Sequence, residues 1–306
     1  VESSTYVAQS DWTTLGKITT QHGLTHGKLN PGTSTISVAG DVDNDGEIEF
    51  TDNGTFDANA GFLSDGTGRI TFHTVAGSGG TLQLAATDPD LGSNFTANEG
   101  TVEYDLSGGG TAQDIDEVTY NNLTINGTDD TDVKTSLANL VVNGNLTVTN
   151  GKLTLNNIDL DLGGDFSMAA GAFDPGISDL HNVAGIWNET GGVFQPTDGT
   201  FTFSGTGGKT IVQNAGNNFI DLTIASGGTD KISANSAISV GGVFTNTNGT
   251  FDTEGNTVTV TGATNSAHVL VTDNESTNEE NLITFVEVAT DSTGNVGLEM
   301  DGNLTY

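Results

Sequence analysis

The stretch Thr200-Phe201-Thr202-Phe203 carries the pattern that decides the fold. It lies within Val183–Ile224, VAGIWNETGGVFQPTDGTFTFSGTGGKTIVQNAGNNFIDLTI, where short alternating runs are separated by turns rich in glycine and asparagine. Alternation at period two places Phe201 and Phe203 on one face of a strand and the threonines on the other. The pattern predicts a half-buried strand, not a helix, and most of the remaining chain repeats this unit of strand and turn.

The unit also recurs at a long interval. Gly100–Tyr104 (GTVEY) returns as Gly199–Phe203 (GTFTF), and Tyr120–Ile125 returns as Phe219–Ile224, both 99 residues later. A lag held over such a distance indicates tandem structural units, as in solenoid and array proteins.

Many short strands without a convincing helix predict an all-β fold. We expect a repetitive β-solenoid, a rod like a parallel β-helix, with coils of about 25 residues stacked at about 4.8 Å. Tandem β-sandwich domains are the alternative, because a domain near the length of the long repeat is ordinary for a sandwich. The predicted organisation is an N-terminal cap or interaction strand at 1–27, a β-strand repeat region at 28–262, and a C-terminal cap or hairpin at 263–306.

The charge of the chain narrows the range of partners. Forty acidic side chains stand against seven lysines and arginines, so the formal net charge at pH 7 is −33. A surface of this sign repels nucleic-acid phosphates and anionic lipids, whereas a medium rich in cations screens its self-repulsion. No apolar run reaches the length of about 18 residues that a membrane span needs. We expect no nucleic-acid partner, no membrane insertion and a saline or calcium-containing environment.

Cysteine is absent, so stability cannot come from disulfides or thiolate metal sites and must come from stacking and ions. The sequence begins at Val1 without a charged and apolar leader, which is typical of a mature secreted protein. These features predict an extracellular or cell-surface location.

One acidic segment resembles a known metal-binding loop. Gly40–Asp52, GDVDNDGEIEFTD, is similar to the calcium loop of EF-hand and dockerin proteins, in which carboxylate oxygens surround one cation. The resemblance implies a calcium site with Glu47 offering its backbone carbonyl. Its predicted ligands are Asp41, Asp43, Asp45, Glu47 and Asp52.

The alternative is that this segment is only a hairpin turn, since Asp-Gly pairs are common in such turns. An internal comparison favours calcium. Ile36–Val38 parallels Ile238–Val240 at a lag of 202, whereas Asn53–Asp57 matches Asn248–Asp252 at a lag of 195. Seven additional residues therefore lie between strand and turn in the acidic copy. We interpret them as an insertion whose carboxylates need a counter-ion.

The repeat units resemble those of the β-strand-repeat proteins found in large bacterial surface and secreted polypeptides. The segments that carry the resemblance are Gly185–Asn188, Gly192–Phe194, Thr200–Ser204, Lys209–Ile211 and Phe219–Ile224. The resemblance implies an extracellular structural or adhesive role.

The residues of the chain bear on three classes of function. A polysaccharide-degrading β-helix enzyme needs paired carboxylates or a basic residue in a cleft, and Arg69 is the only arginine. We therefore expect no enzymatic activity. The leading hypothesis is a structural subunit of an extracellular filament, sheath or surface layer that assembles from copies of itself. The alternative is an adhesin that binds surface glycans. It would need an exposed aromatic platform, for which Trp12, Trp187 and four tyrosines provide little material.

Overall fold

The fold consists of β-strands that wind into stacked turns. A computed structural model describes residues 5–14, 16–20, 27–177, 180–262 and the backbone of 264–266. One compact unit covers Val1–His268, and a second, Val269–Tyr306, lies outside the described residues, as does nearly all of the C-terminal cap predicted at 263–306. The described residues contain no helix, and so none that is long and apolar enough to cross a membrane.

The strands are short, with two to five residues each. In the first third of the chain they are β1 Thr5–Val7, β2 Trp12–Thr14, β3 Ile18–Thr20, β4 Lys28–Asn30, β5 Thr35–Val38, β6 Val42–Asn44, β7 Glu47–Glu49, β8 Thr55–Ala58, β9 Phe62–Leu63, β10 Arg69–Thr71, β11 Thr81–Leu84, β12 Phe95–Thr96 and β13 Thr101–Tyr104. In the second third they are β14 Ala112–Ile115, β15 Thr119–Tyr120, β16 Asn122–Ile125, β17 Val133–Ser136, β18 Leu140–Val142, β19 Leu146–Val148, β20 Lys152–Leu155, β21 Leu160–Leu162, β22 Phe166–Met168, β23 Ala172–Asp174, β24 Leu180–Val183, β25 Trp187–Glu189 and β26 Val193–Phe194. In the last third they are β27 Thr200–Phe203, β28 Lys209–Val212, β29 Asp221–Ala225, β30 Lys231–Ala234, β31 Ile238–Val240, β32 Phe244–Asn248, β33 Thr250–Asp252, β34 Val258–Val260 and β35 Thr264–Ser266.

Each strand pairs in parallel with strands of the neighbouring turns. One face is a continuous twelve-stranded sheet in the order β2-β5-β8-β11-β13-β16-β19-β22-β25-β28-β30-β33. The other strands form sheets of eight, five, five, three and two strands. The chain is thus a β-solenoid of about 12 turns, as predicted. The sandwich alternative is wrong, because sandwiches pair their strands antiparallel, whereas every strand pair among the described residues is parallel.

The length of a turn follows from the pairing. Paired residues of neighbouring strands in the twelve-stranded sheet lie 19 residues apart at Ile232 and Phe251, 26 apart at Phe56 and Leu82, and at intermediate separations elsewhere. At about 4.8 Å per strand, this sheet extends about 50 Å along the solenoid axis. The lag of 99 residues is not a whole number of turns. It relates β13 of the twelve-stranded sheet to β27 of the eight-stranded sheet.

The period-two alternation read in the sequence is present in the structure. In β27, Phe201 and Phe203 are buried, and the two threonines are partly exposed. The inward residues of successive turns stack on one another. Trp187 lies on Phe166 with ring centroids 4.0 Å apart and contacts Phe201 edge-on at 5.4 Å. Such aromatic contacts add to the stability that apolar burial already provides.

Glycine permits close approach where turns meet at a corner. Gly92 has a φ of +73°, and a Cβ at this position would lie 1.8 Å from the carbonyl oxygen of Ser64 in the preceding turn. Both the left-handed backbone and the lack of space therefore require glycine.

The two tryptophans provide a test of the core. Trp187 is 0% exposed, whereas Trp12 in the first turn is 46% exposed. We expect Trp187→Ala to lower the free energy of unfolding by about 3–5 kcal/mol, because it leaves a cavity within an aromatic cluster. Trp12→Ala should change it by less than about 1 kcal/mol in dilute protein. Urea unfolding followed by circular dichroism measures both, and equal losses would contradict this description of the core.

Candidate functional site

The predicted calcium ligands begin on strand β6 and its flanks. The backbone here is extended, so successive side chains point to opposite sides. Val42 and Asn44 face the core and are buried, whereas Asp41, Asp43 and Asp45 face outward.

The first two aspartates have contacts with neighbouring turns. Asp41 Oδ1 accepts a hydrogen bond from the backbone N–H of Gly61 at 3.1 Å. Asp43 Oδ2 forms an ion pair with Lys17 Nζ at 2.9 Å. Both carboxylates therefore already have partners in the turns before and after their own.

The remaining predicted ligands lie further along the chain. Glu47 begins β7 and is nearly buried, with Oε2 3.2 Å from Lys28 Nζ, which also lies 2.9 Å from Glu49 Oε1. The hydrogen bond to Glu49 raises the pKa of Lys28 despite partial burial. Asp52 accepts a hydrogen bond from the N–H of Asn53 at 2.9 Å.

The five residues are not gathered around one point. Asp45 is four residue steps from Asp41 along mostly extended backbone, a span of about 13 Å, whereas calcium needs its oxygens at about 2.3–2.6 Å. Within the described ranges, no group of three or more histidine, cysteine or acidic side chains is placed to hold a metal ion. The residues therefore do not fit the single-ion loop that the resemblance implied, and calcium binding stays a prediction.

The hairpin alternative for this segment is wrong. Strands β6 and β7 flank the Asp45-Gly46 corner, but they belong to different sheets and do not pair with each other.

The interpretation of the seven additional residues as an insertion is also wrong. Ile36–Val38 lies in the twelve-stranded sheet, whereas Ile238–Val240 lies in the two-stranded sheet. Two strands, β6 and β7, precede the Asn-Gly-Thr-Phe-Asp segment at 53–57, whereas only β32 lies between Val240 and the copy of that segment at 248–252. The second strand accounts for the seven additional residues.

An acidic groove lies on the same side of the solenoid. Its volume is about 680 Å³, and its charged lining comprises Lys17, Asp41, Asp43, Asp88, Asp90 and Asp116. Burial raises the pKa of Asp116, although N–H groups of Leu91 and Glu117 donate to its carboxylate. Five aspartates against one lysine concentrate mobile cations in such a groove by their summed field.

The core itself holds a buried carboxyl. Glu189 is fully buried on the same face of β25 as Trp187, whose Nε1–H donates to Oε2 at 3.4 Å. The Asn217 side-chain amide donates to Oε1. Burial raises the pKa of Glu189 to about 7, although these two hydrogen bonds oppose the shift. The side chain can therefore gain or lose a proton near neutral pH.

A buried histidine titrates in the opposite sense. His181 Nδ1 accepts a hydrogen bond from the N–H of Leu160 at 3.2 Å, and the imidazole lies 4.6 Å from the ring of Phe201. Burial lowers its pKa to about 4, against the opposing charge of Asp159. No hydrogen-bond partner for Nε2 lies in the part of the chain that the structure describes. His181 is thus a neutral core residue at pH 7.

A third buried polar group closes a glycine-rich corner. Asp132 accepts hydrogen bonds from the N–H groups of Gly109, Thr111 and Thr128 at 2.8 to 3.1 Å, and from the Thr111 hydroxyl at 2.7 Å. Burial would raise the pKa of Asp132, but the donors outweigh it and hold that pKa well below its usual range. Two residues on, the buried Lys134 ammonium donates to the Leu106 carbonyl. These contacts fix the corner before β17.

Glu189 and His181 are not among the predicted site residues, although the sequence pattern indicates that both are buried. Trp187-Asn188-Glu189 alternates, so Glu189 shares the inward face of Trp187. His181 shares the inward face of Val183 by the same rule.

Comparison of the chain with protein-family models, curated proteins and solved structures finds no match to any of them.

The raised pKa of Glu189 gives a pH-dependent prediction. Between its ordinary pKa of 4.5 and its folded value of about 7, the folded protein binds more protons than the unfolded chain, so stability falls as pH rises through this window. Glu189→Gln removes this loss. We expect the free energy of unfolding of the variant, relative to that of the wild type, to rise by about 2–3 kcal/mol between pH 5 and pH 8.

Urea unfolding at several pH values measures this difference. Glu117→Gln serves as the matched control, because Glu117 is exposed on the solenoid surface. A constant difference between Glu189→Gln and wild type over this pH range would show that the carboxyl does not titrate in the core.

Proposed function

We propose that this chain is a structural subunit of an extracellular filament, sheath or surface layer that assembles from copies of itself. The observation that supports the proposal most is the continuous stack of parallel turns in the described residues, in which one sheet of twelve strands runs from β2 to β33. Stacks of this kind form extended elements in which each turn contacts its neighbours.

The body of the solenoid fits a load-bearing role. A twelve-stranded parallel sheet runs along its whole described length, and its inward residues form one continuous core. Each turn is held by its neighbours, so the repeat makes an extended and stiff element without a large domain. This architecture suits a building block of a larger structure.

Calcium remains part of the proposal as a counter-ion for the acidic surface. The groove that contains Asp41 and Asp43 supports this role, because its aspartates outnumber the single lysine. Divalent cations would reduce repulsion between copies that each carry a net charge of −33. No caged site is required for such screening.

A glycan-binding adhesin is the second candidate. Tyr6 and Trp12 are exposed together around a pocket of about 520 Å³ that Ile18, Lys28 and Leu29 also line. Trp187, Tyr104 and Tyr120 are buried and cannot contribute to such a platform. Exposed aromatic rings beside polar groups are suited to stacking on a sugar ring.

Electron microscopy of the purified full chain tests the structural proposal. We expect regular filaments or sheets in millimolar calcium and their loss in chelator, because removing the cation restores repulsion between copies. Sodium chloride at equal ionic strength is the control for simple screening. Only separate short particles under all conditions would contradict the proposal, and a glycan array would then test the adhesin.

A further inference from the structure

Two copies of one pentapeptide have different surroundings in the solenoid. Asn-Gly-Thr-Phe-Asp occurs at 53–57 and again at 248–252, each time at a corner that leads into the twelve-stranded sheet, at β8 or β33. The side chains of Asn53 and Asn248 are both exposed. A difference in the chemistry of these two asparagines therefore comes from the fold and not from the pentapeptide itself.

The two copies differ at the backbone nitrogen of the glycine. Gly54 is buried, and its N–H donates to the carbonyl of Gly32 in the preceding turn at 2.8 Å. Gly249 N–H donates instead to Oδ1 of Asn248 at 2.9 Å. Because a C=O bond is about 1.23 Å long, Cγ of Asn248 lies within about 4.1 Å of this nitrogen. The two atoms are close to a reacting distance of about 3–3.5 Å.

We propose that Asn248 is a site of spontaneous deamidation in the folded chain. The backbone nitrogen of Gly249 attacks Cγ of Asn248, and its proton passes through water to Nδ2, which leaves as ammonia. The product is a five-membered succinimide. Water then opens the ring at one of its two carbonyls, which leaves aspartate or isoaspartate at position 248. The reaction needs no partner, so this inference is independent of the proposed function.

Backbone pairing protects two of the five Asn-Gly pairs in the sequence. Gly144 N–H donates to the carbonyl of Asn121 at 2.8 Å, as Gly54 N–H does to that of Gly32. The nitrogen of either glycine can attack only after this bond between turns is broken, which costs free energy. We therefore expect the asparagines of these two pairs to be stable.

Side-chain contacts protect two other asparagines of such pairs, Asn126 and Asn150, which are half-buried. Nδ2 of Asn126 donates to Glu103 Oε1 at 2.7 Å, and Nδ2 of Asn150 donates to the Thr128 carbonyl at 2.5 Å. These contacts hold the group that has to leave. Of the five asparagines, all of which lie among the described residues, Asn248 alone is exposed and bonded to the N–H of the glycine that follows it.

The corner at Gly249 has no room for a longer backbone. Gly249 has a φ of +80°, and a Cβ at this position would lie 2.0 Å from Ser226 Oγ of the preceding turn. Isoaspartate adds one methylene group to the main chain between β32 and β33. We therefore expect the isoaspartyl product to disrupt the register in which Thr250 pairs with Lys231.

Peptide mapping of the full chain tests the site. Folded protein and protein unfolded in urea are incubated in mildly alkaline buffer and digested with pepsin at acidic pH, and mass spectrometry follows both copies of the pentapeptide. In the folded protein we expect Asn248 to deamidate at least about tenfold faster than Asn53. In urea, where only the sequence acts, the two rates should be equal. A folded Asn53 that reacts as fast as Asn248, or a ratio that persists in urea, would overturn the proposal.

Thermal unfolding of aged protein tests the consequence with two matched variants. Asn248→Gln lengthens the side chain and prevents closure of the five-membered ring, whereas Asn53→Gln leaves the reactive pair intact. After the same incubation, we expect the melting temperature of the wild type and of Asn53→Gln to fall and that of Asn248→Gln to stay unchanged. Equal changes in all three proteins, including no change, would overturn the expected damage at this corner.

Discussion

The structure depends on one constraint: each turn must stack in register on the turns before and after it. Parallel strands exchange backbone hydrogen bonds at a spacing of about 4.8 Å, and inward side chains have to pack at the same spacing. Phe166 and Trp187 show the result, because these paired residues of successive turns stack with ring centroids 4.0 Å apart. A turn has no core of its own, so its stability comes from its neighbours.

The same stacking organises the charges. In every ion pair found among the described residues, a lysine contacts a carboxylate 19 to 26 residues later, about one turn along the chain. Each such exposed pair contributes little stability. Each pair joins a lysine to a carboxylate of the following turn, so opposite charges meet across the spacing of about 4.8 Å between strands. The excess of acid that remains lies on the flanks and in the groove.

Much of the fold could be predicted from the alternation of residues such as Phe201 and Phe203, because a period of two fixes which side chains face the core. The predicted turn of about 25 residues lies near the upper end of the 19 to 26 residues observed, because the strands of different sheets share one pattern. Gly100–Tyr104 and Gly199–Phe203 match in sequence although they lie in different sheets. Asp41, Asp43 and Asp45 resemble a metal loop, yet the same alternation spreads them along an extended strand. Applied consistently, that alternation would have placed Glu189 and His181 in the core.

Hydrogen–deuterium exchange of the full chain tests the dependence of each turn on its neighbours most directly. We expect slow exchange at amides of central strands such as β16, β19 and β22, and progressively faster exchange toward β2 in the dilute protein. The central turns are covered on both sides, whereas the first turn is covered on one side among the described residues. Exchange at β2 as slow as at β19 in the monomer, or fastest exchange in the central turns, would contradict the central claim.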